Sequence, residues 1–257
     1  MYILYIIFLY LYWGRLPMDP LKNDPRLIIG AVFFVGLVWI YLFNKVCDRR
    51  EDLISQPEES LKQSETKYFK KLLPFLVLLP IPILFFINQP VWPYLCYVGL
   101  GFLYSYPLFK GMRLKNVFFV KNLVAGIDML APVWFGLIIY FPPYYIAPYE
   151  FNFNFFAALF LIYVAGEILW DIRDIKGDDM NNIQTLPVVL GVQKSKVIAI
   201  AFVWIAVFFL GHSVVNYFVG IIMSIFIILA TVNTKPIFFH LFIYCLSGIL
   251  LASILWG

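Results

Sequence analysis

Apolar residues in this chain come in long blocks, not at the spacing of one helical turn or one strand pleat, and polar residues collect between the blocks. A helix needs roughly 20 mostly apolar residues to cross a hydrocarbon core, and blocks approaching that length recur from end to end. They lie at Met1 to Trp13, Leu27 to Phe43, Leu72 to Ile87, Val91 to Pro107, Leu123 to Tyr140, Phe153 to Trp170, Val197 to Leu210, Val214 to Val232 and Ile237 to Trp256. These nine predicted spans leave no separate soluble domain, so residues 1–257 are read as one domain. The first block is short and lacks the basic n-region and small-residue cleavage site of a signal peptide; it reads as a short membrane helix or as a start codon placed late. Gly14 to Arg26 holds three prolines and is a predicted loop. Prolines at 74, 80, 82, 90, 93 and 107 predict kinked helices around a central cavity, because neighbouring helices can satisfy the backbone groups that a proline frees. The polar stretch Asn44 to Lys71 is long enough for a surface hairpin or lid of its own, and FPPYYIAPYEFN, Phe141 to Asn152, suits a membrane interface.

Composition strengthens this reading. At 63% hydrophobic and 13% charged residues, with a mean hydropathy of +0.86, 257 residues carry more apolar surface than a soluble domain could bury. The expected architecture is an all-α integral membrane bundle of about nine helices in contact with the lipid bilayer. The net charge of +4 is read as topology, not as a nucleic-acid surface. Of the 19 Lys and Arg residues, 16 fall in Asn44 to Lys71, Phe109 to Asn122, Asp171 to Lys196 and Asn233 to Pro236. These four loops lie on one side of the predicted bundle, and the positive-inside rule makes that side cytoplasmic, in a multi-pass protein of a bacterial or archaeal-type inner membrane. Cys47, Cys96 and Cys245 form no CxxC pair, and His212 and His240 stand alone, so neither a disulfide framework nor a zinc site is expected.

Two acidic stretches leave apolar blocks on that side. In WDIRDIKGDDMNNIQTLPVVL, Asp171, Asp174 and Asp178 share one helical face; in FNKVCDRREDLISQPEE, Asn44, Asp48 and Asp52 share another. Carboxylates kept so close repel one another, so each face calls for a cation, and two such faces suggest one divalent-metal site between them. Mg²⁺ prefers one or two carboxylates plus substrate phosphate oxygens to a closed protein cage. The loop FKGMRLKNVFFVKN adds Lys110, Arg113, Lys115 and Lys121 as counter-charge, so the ensemble describes a diphosphate clamp. An allylic diphosphate held there could leave as its charge is neutralised, and aromatic side chains would shelter the resulting carbocation.

These residues resemble the UbiA superfamily of intramembrane prenyltransferases, whose first Asp-rich motif has the form NDxxDxxxD and whose second has the form DxxxD. The first reads Asn44-Lys-Val-Cys-Asp48-Arg-Arg-Glu-Asp52 and the second Asp171-Ile-Arg-Asp174-Ile-Lys-Gly-Asp178, trailed by Thr185-Leu-Pro187 and Leu190-Gly191. Tyr104 to Gly126 is similar to the family's Tyr-Ser-x-Pro and Leu-Lys loop. The resemblance implies a nine-helix bundle, Mg²⁺ bridged by both motifs, and prenyl transfer from a polyprenyl diphosphate to a lipophilic or aromatic acceptor. It implies metal contacts from Asn44, Asp48, Asp52, Asp171, Asp174 and Asp178, of which Asp48, Asp52, Asp174 and Asp178 are the catalytic set. Donor diphosphate contacts would come from Asn44, Lys115, Lys121, Arg113 and Tyr104. Lys45 departs from the pattern, standing where an Asp often follows the motif Asn. Two alternatives stay open: the scaffold with altered catalysis, and a non-enzymatic membrane carrier or binding protein. A carrier would line its path with charge, and only Asp128 and Glu167 fall inside predicted spans.

Overall fold

The computed structural model describes residues 26–55, 57, 60–107, 113–140, 153–233 and 238. The predicted helix at Met1 to Trp13, the loop to residue 25, the Pro- and Tyr-rich turn and the last predicted span, Phe238 excepted, lie outside the described residues.

Every regular element among the described residues is helical: α1 (Arg26–Ser55), α2 (Gln63–Leu78), α3 (Pro80–Phe86), α4 (Trp92–Ser105), a 3₁₀ turn at Leu114–Asn116, α5 (Val120–Tyr140), α6 (Phe153–Met180), α7 (Leu186–Leu190), α8 (Val192–Leu210) and α9 (Val214–Leu229). The stretches Ile28–Ile54, Gln63–Phe86 and Val192–Leu210 are each long and apolar enough to cross a membrane. Helices continue past the apolar blocks that predict them. The 30 residues of α1 and the 28 of α6 reach roughly 45 and 42 Å at 1.5 Å per residue, so both carry their acidic ends beyond the hydrocarbon layer without a break. The expected separate lid at Asn44 to Lys71 is therefore replaced by the polar ends of α1 and α2. Their connection is tied down by Arg49 Nε, which donates to the Leu61 carbonyl at 3.0 Å.

The proline prediction resolves into one break. Pro74 sits within α2, and the run parts only at Leu79, where Pro80 starts α3. Tyr94 Oη donates to the Val77 carbonyl at 3.2 Å, satisfying a backbone group beside the break.

Packing centres on α6, which touches α1, α5, α7 and α8. Its Ala158, Leu159, Ile162, Val164, Ala165, Ile168 and Leu169 are buried, consistent with a helix enclosed by its neighbours. Close approach depends on glycine. A side chain at Gly126 of α5 would meet Phe160 and Val164 of α6 at 2.9 and 3.0 Å, and one at Gly101 of α4 would meet Ile40 of α1 at 2.4 Å. Trp39, Phe43, Phe102 and Tyr106 stack in sequence, with centroids 5.0, 5.4 and 4.7 Å apart, and lock α4 beside the polar half of α1. At the same end, Lys196 of α8 donates to the Ile228 carbonyl of α9 at 2.7 Å.

Candidate functional site

The acidic end of α1 meets the loop ahead of α5. Asp48 is buried, and its Oδ1 accepts from Arg113 at 2.8 Å and lies 2.5 Å from Lys115 Nζ. The same two cations also bind Glu51. Burial opposes the charge on Arg113, but Glu51 and Asp48 outweigh it and hold the guanidinium pKa above its ordinary value. Asp52 pairs instead with Lys45, at 3.0 Å and one turn further back than its motif partner Asp48. Asn44 Oδ1 accepts from Ser105 Oγ at 2.9 Å, which fixes α1 to the end of α4.

The second acidic stretch is gathered around the start of α5. Asp171 is fully buried; its Oδ2 accepts from Asn122 Nδ2 at 2.7 Å and its Oδ1 lies 2.6 Å from Lys121 Nζ. Lys121 also reaches Asp178, at 3.5 Å. Asp171 and Asp178 are both buried, and Lys121 Nζ faces the two carboxylates together. Eight residues past the apolar part of α6, Asp178 has its carboxyl pushed up to about 6 by burial, reinforced by Asp171 and opposed by Lys121. Asp174 is the more exposed of the three and accepts from its neighbour Arg173 at 3.0 Å, while that guanidinium lies 4.3 Å from the Trp170 ring centre.

The two stretches share one end of the bundle. α1 packs on α5 and α6, and Lys115, bound to Asp48, also lies within electrostatic reach of Asp178. Tyr104 feels Asp48 of α1 together with Lys121, Glu167 and Asp171. Among the described residues, however, no group of three or more His, Cys, Asp or Glu side chains could hold a metal alone. Asp48, Glu51 and Asp52 pair with Lys45, Arg113 and Lys115, and Asp171 and Asp178 with Lys121. Glu51 was missed by the motif reading, although it lies three residues from Asp48 and so on the same helical face. Asn122 was missed too, and no spacing points to it.

The hard oxygen donors of the buried Asp171 and Asp178 carboxylates fit Mg²⁺ better than a softer metal. Asp48, Glu51 and Asp52 already face protein cations. Apolar helices closed at one end by two acidic stretches and a basic loop define a helical integral membrane protein with a charged site at that end. The family profile described as the UbiA prenyltransferase family matches residues 3–254, and the chain belongs to that family. A curated relative, digeranylgeranylglyceryl phosphate synthase of Thermococcus sibiricus, is 29% identical over 194 residues, a match that takes in 74% of this chain and 63% of that relative. The chain therefore spans less than two thirds of that relative's length. The fold is similar to a UbiA homolog from Archaeoglobus fulgidus bound to DMAPP and Mg²⁺, with a TM-score of 0.63 at 13% identity, covering 99% of this chain and 96% of that one. It is likewise similar to an apo UbiA homolog from Aeropyrum pernix K1, with a TM-score of 0.64 at 13% identity and the same coverage.

Proposed function

We propose that this protein transfers a prenyl group from a polyprenyl diphosphate to a lipophilic acceptor, with the diphosphate held at the cytoplasmic end of the bundle and the tail among its helices. The observation that carries this reading is the pair of buried carboxylates on Asp171 and Asp178 gathered at Lys121 of the basic loop within the same end of the molecule. Asp171 and Asp178 would hold Mg²⁺, which neutralises charge on the departing diphosphate. Lys115 and Arg113, already drawn inward by Asp48 and Glu51, carry further donors for phosphate oxygens. Fixed in place before the substrate arrives, they need little reorganisation as charge develops on the leaving group. The carbon–oxygen bond of the donor breaks, the acceptor bonds to the freed carbon and loses its proton, and the surrounding helices keep water from that carbon.

Family membership and the named relative favour a glycerol phosphate lipid as the first acceptor to try. The test incubates membranes containing the protein with labelled geranylgeranyl or farnesyl diphosphate, Mg²⁺ and either a prenylated glycerol phosphate or a lipid extract, followed by mass spectrometry. A new prenylated species that disappears with EDTA and in Asp171→Asn is the expected result. Counterflow of a solute in vesicles without any prenylated product would favour a carrier instead.

A further inference from the structure

Adjacent residues in the first turn of α5 reach the two oxygens of one buried carboxylate. Lys121 Nζ lies 2.6 Å from Asp171 Oδ1, and Asn122 Nδ2 donates to Asp171 Oδ2 at 2.7 Å. The two differ in kind. Lys121 carries its charge on a long stem and also lies 3.5 Å from Asp178, so it is shared between two acids of α6. Asn122 is neutral and short, as fully buried as Asp171, and its Oδ1 has no hydrogen-bond partner among the described residues. An asparagine that closes a turn spends its amide on backbone groups, as Asn216 does in bonding the Leu210 and Gly211 carbonyls. The amide of Asn122 instead bonds the Asp171 carboxylate, and burying its unpartnered oxygen is a cost that an apolar residue would have avoided if packing were the only need.

We propose that Asn122 is a positioning residue for the ion site: its amide fixes the Asp171 carboxylate in the orientation that receives a divalent cation. A carboxylate free to turn loses that freedom on binding a metal, and the loss weakens binding. The Asn122 bond removes the freedom beforehand, as the outer hydrogen-bond partners of metal ligands do. Lys121 cannot serve in its place. Two cations at one carboxylate repel each other, so the ammonium must loosen its hold as an ion is bound. An uncharged N–H has no such conflict, and it keeps Oδ2 while leaving the other oxygen to the ion. The amide is itself held one way round, because reversed it would set its carbonyl oxygen against the carboxylate, where neither group can donate. This inference deepens the proposed function and rests on it, since Asp171 ligates an ion only in that reading.

Purified full-length protein in detergent is titrated with Mn²⁺ in the presence of the non-hydrolysable donor analogue geranyl S-thiolodiphosphate, and free Mn²⁺ is followed by its electron paramagnetic resonance signal. Asn122→Ala should weaken Mn²⁺ binding about 10- to 100-fold. Asn122→Asp has nearly the same shape but no N–H, and it should bind Mn²⁺ as weakly as Asn122→Ala or more weakly still. A role in packing alone predicts the opposite order, with Asn122→Asp close to the unaltered protein. Unchanged Mn²⁺ affinity in Asn122→Ala, or tighter binding in Asn122→Asp than in Asn122→Ala, overturns the inference and leaves the functional reading intact. If Asn122→Ala does not fold, Asn122→Asp decides alone: a loss of about tenfold or more supports the inference, and anything less overturns it. An unaltered protein that binds neither Mn²⁺ nor the analogue overturns both.

Discussion

Lys115 shows how much one side chain can coordinate. It lies on a single 3₁₀ turn, is buried, touches Asp48 and Glu51 of α1, and reaches Asp178 of α6 electrostatically. An ammonium has three donors, so two carboxylates leave one free for a phosphate oxygen. Lys115→Met should therefore weaken binding of a prenyl diphosphate about 10- to 100-fold, the loss of one charged hydrogen bond. Initial-rate kinetics against donor concentration would read this as a higher KM, and Lys115→Arg should recover part of it. The candidate residues were largely legible as types and spacings: Asp48, Asp171 and Asp178 stand out because acids at turn intervals beside apolar blocks have no packing reason to be there. Their partners were not legible. The pairing of Lys45 with Asp52 and the double engagement of Glu51 depend on side-chain reach, which the linear pattern does not encode.

At the level of elements, block boundaries gave the existence of each described spanning helix but not its end. Hydropathy falls at Phe43 and Trp170, whereas the backbone stays helical to Ser55 and Met180, because helical hydrogen bonds cost nothing extra at a wet interface. Contacts between elements were equally hidden, and glycine is the reason. Gly101 had no assigned role in the sequence pattern, yet it lets α4 lie against Ile40 of α1. Gly101→Val should cost about 1–3 kcal/mol by overpacking and lower the melting temperature in detergent. Adding Ile40→Ala should restore part of the loss, whereas unrelated defects would simply add.

For the molecule as a whole, the charged site and the turn between α8 and α9 belong to opposite ends. That turn is closed locally: Ser213 caps α9 by accepting from the Asn216 backbone at 3.1 Å, and Asn216 Nδ2 donates to the Leu210 and Gly211 carbonyls at 3.0 Å. The proposed orientation predicts that a cysteine at Gln63, in a cysteine-free background, reacts with a membrane-impermeant maleimide only in inverted vesicles. A cysteine at His212 should react only in right-side-out cells. The reverse pattern would move the active end to the outer face.

The resting ion pairs on Glu51 and Asp48 also bear on how a turnover finishes. In the proposed reaction, once the prenyl group has moved, inorganic diphosphate would be left clasped by the same Arg113 and Lys115 that these carboxylates claim in the structure, so the chain would carry its own eluent, much as a counter-ion strips an exchange resin. Glu51→Gln would dilute that eluent: product inhibition by diphosphate should become about tenfold stronger, and the rate at saturating donor should fall as release slows.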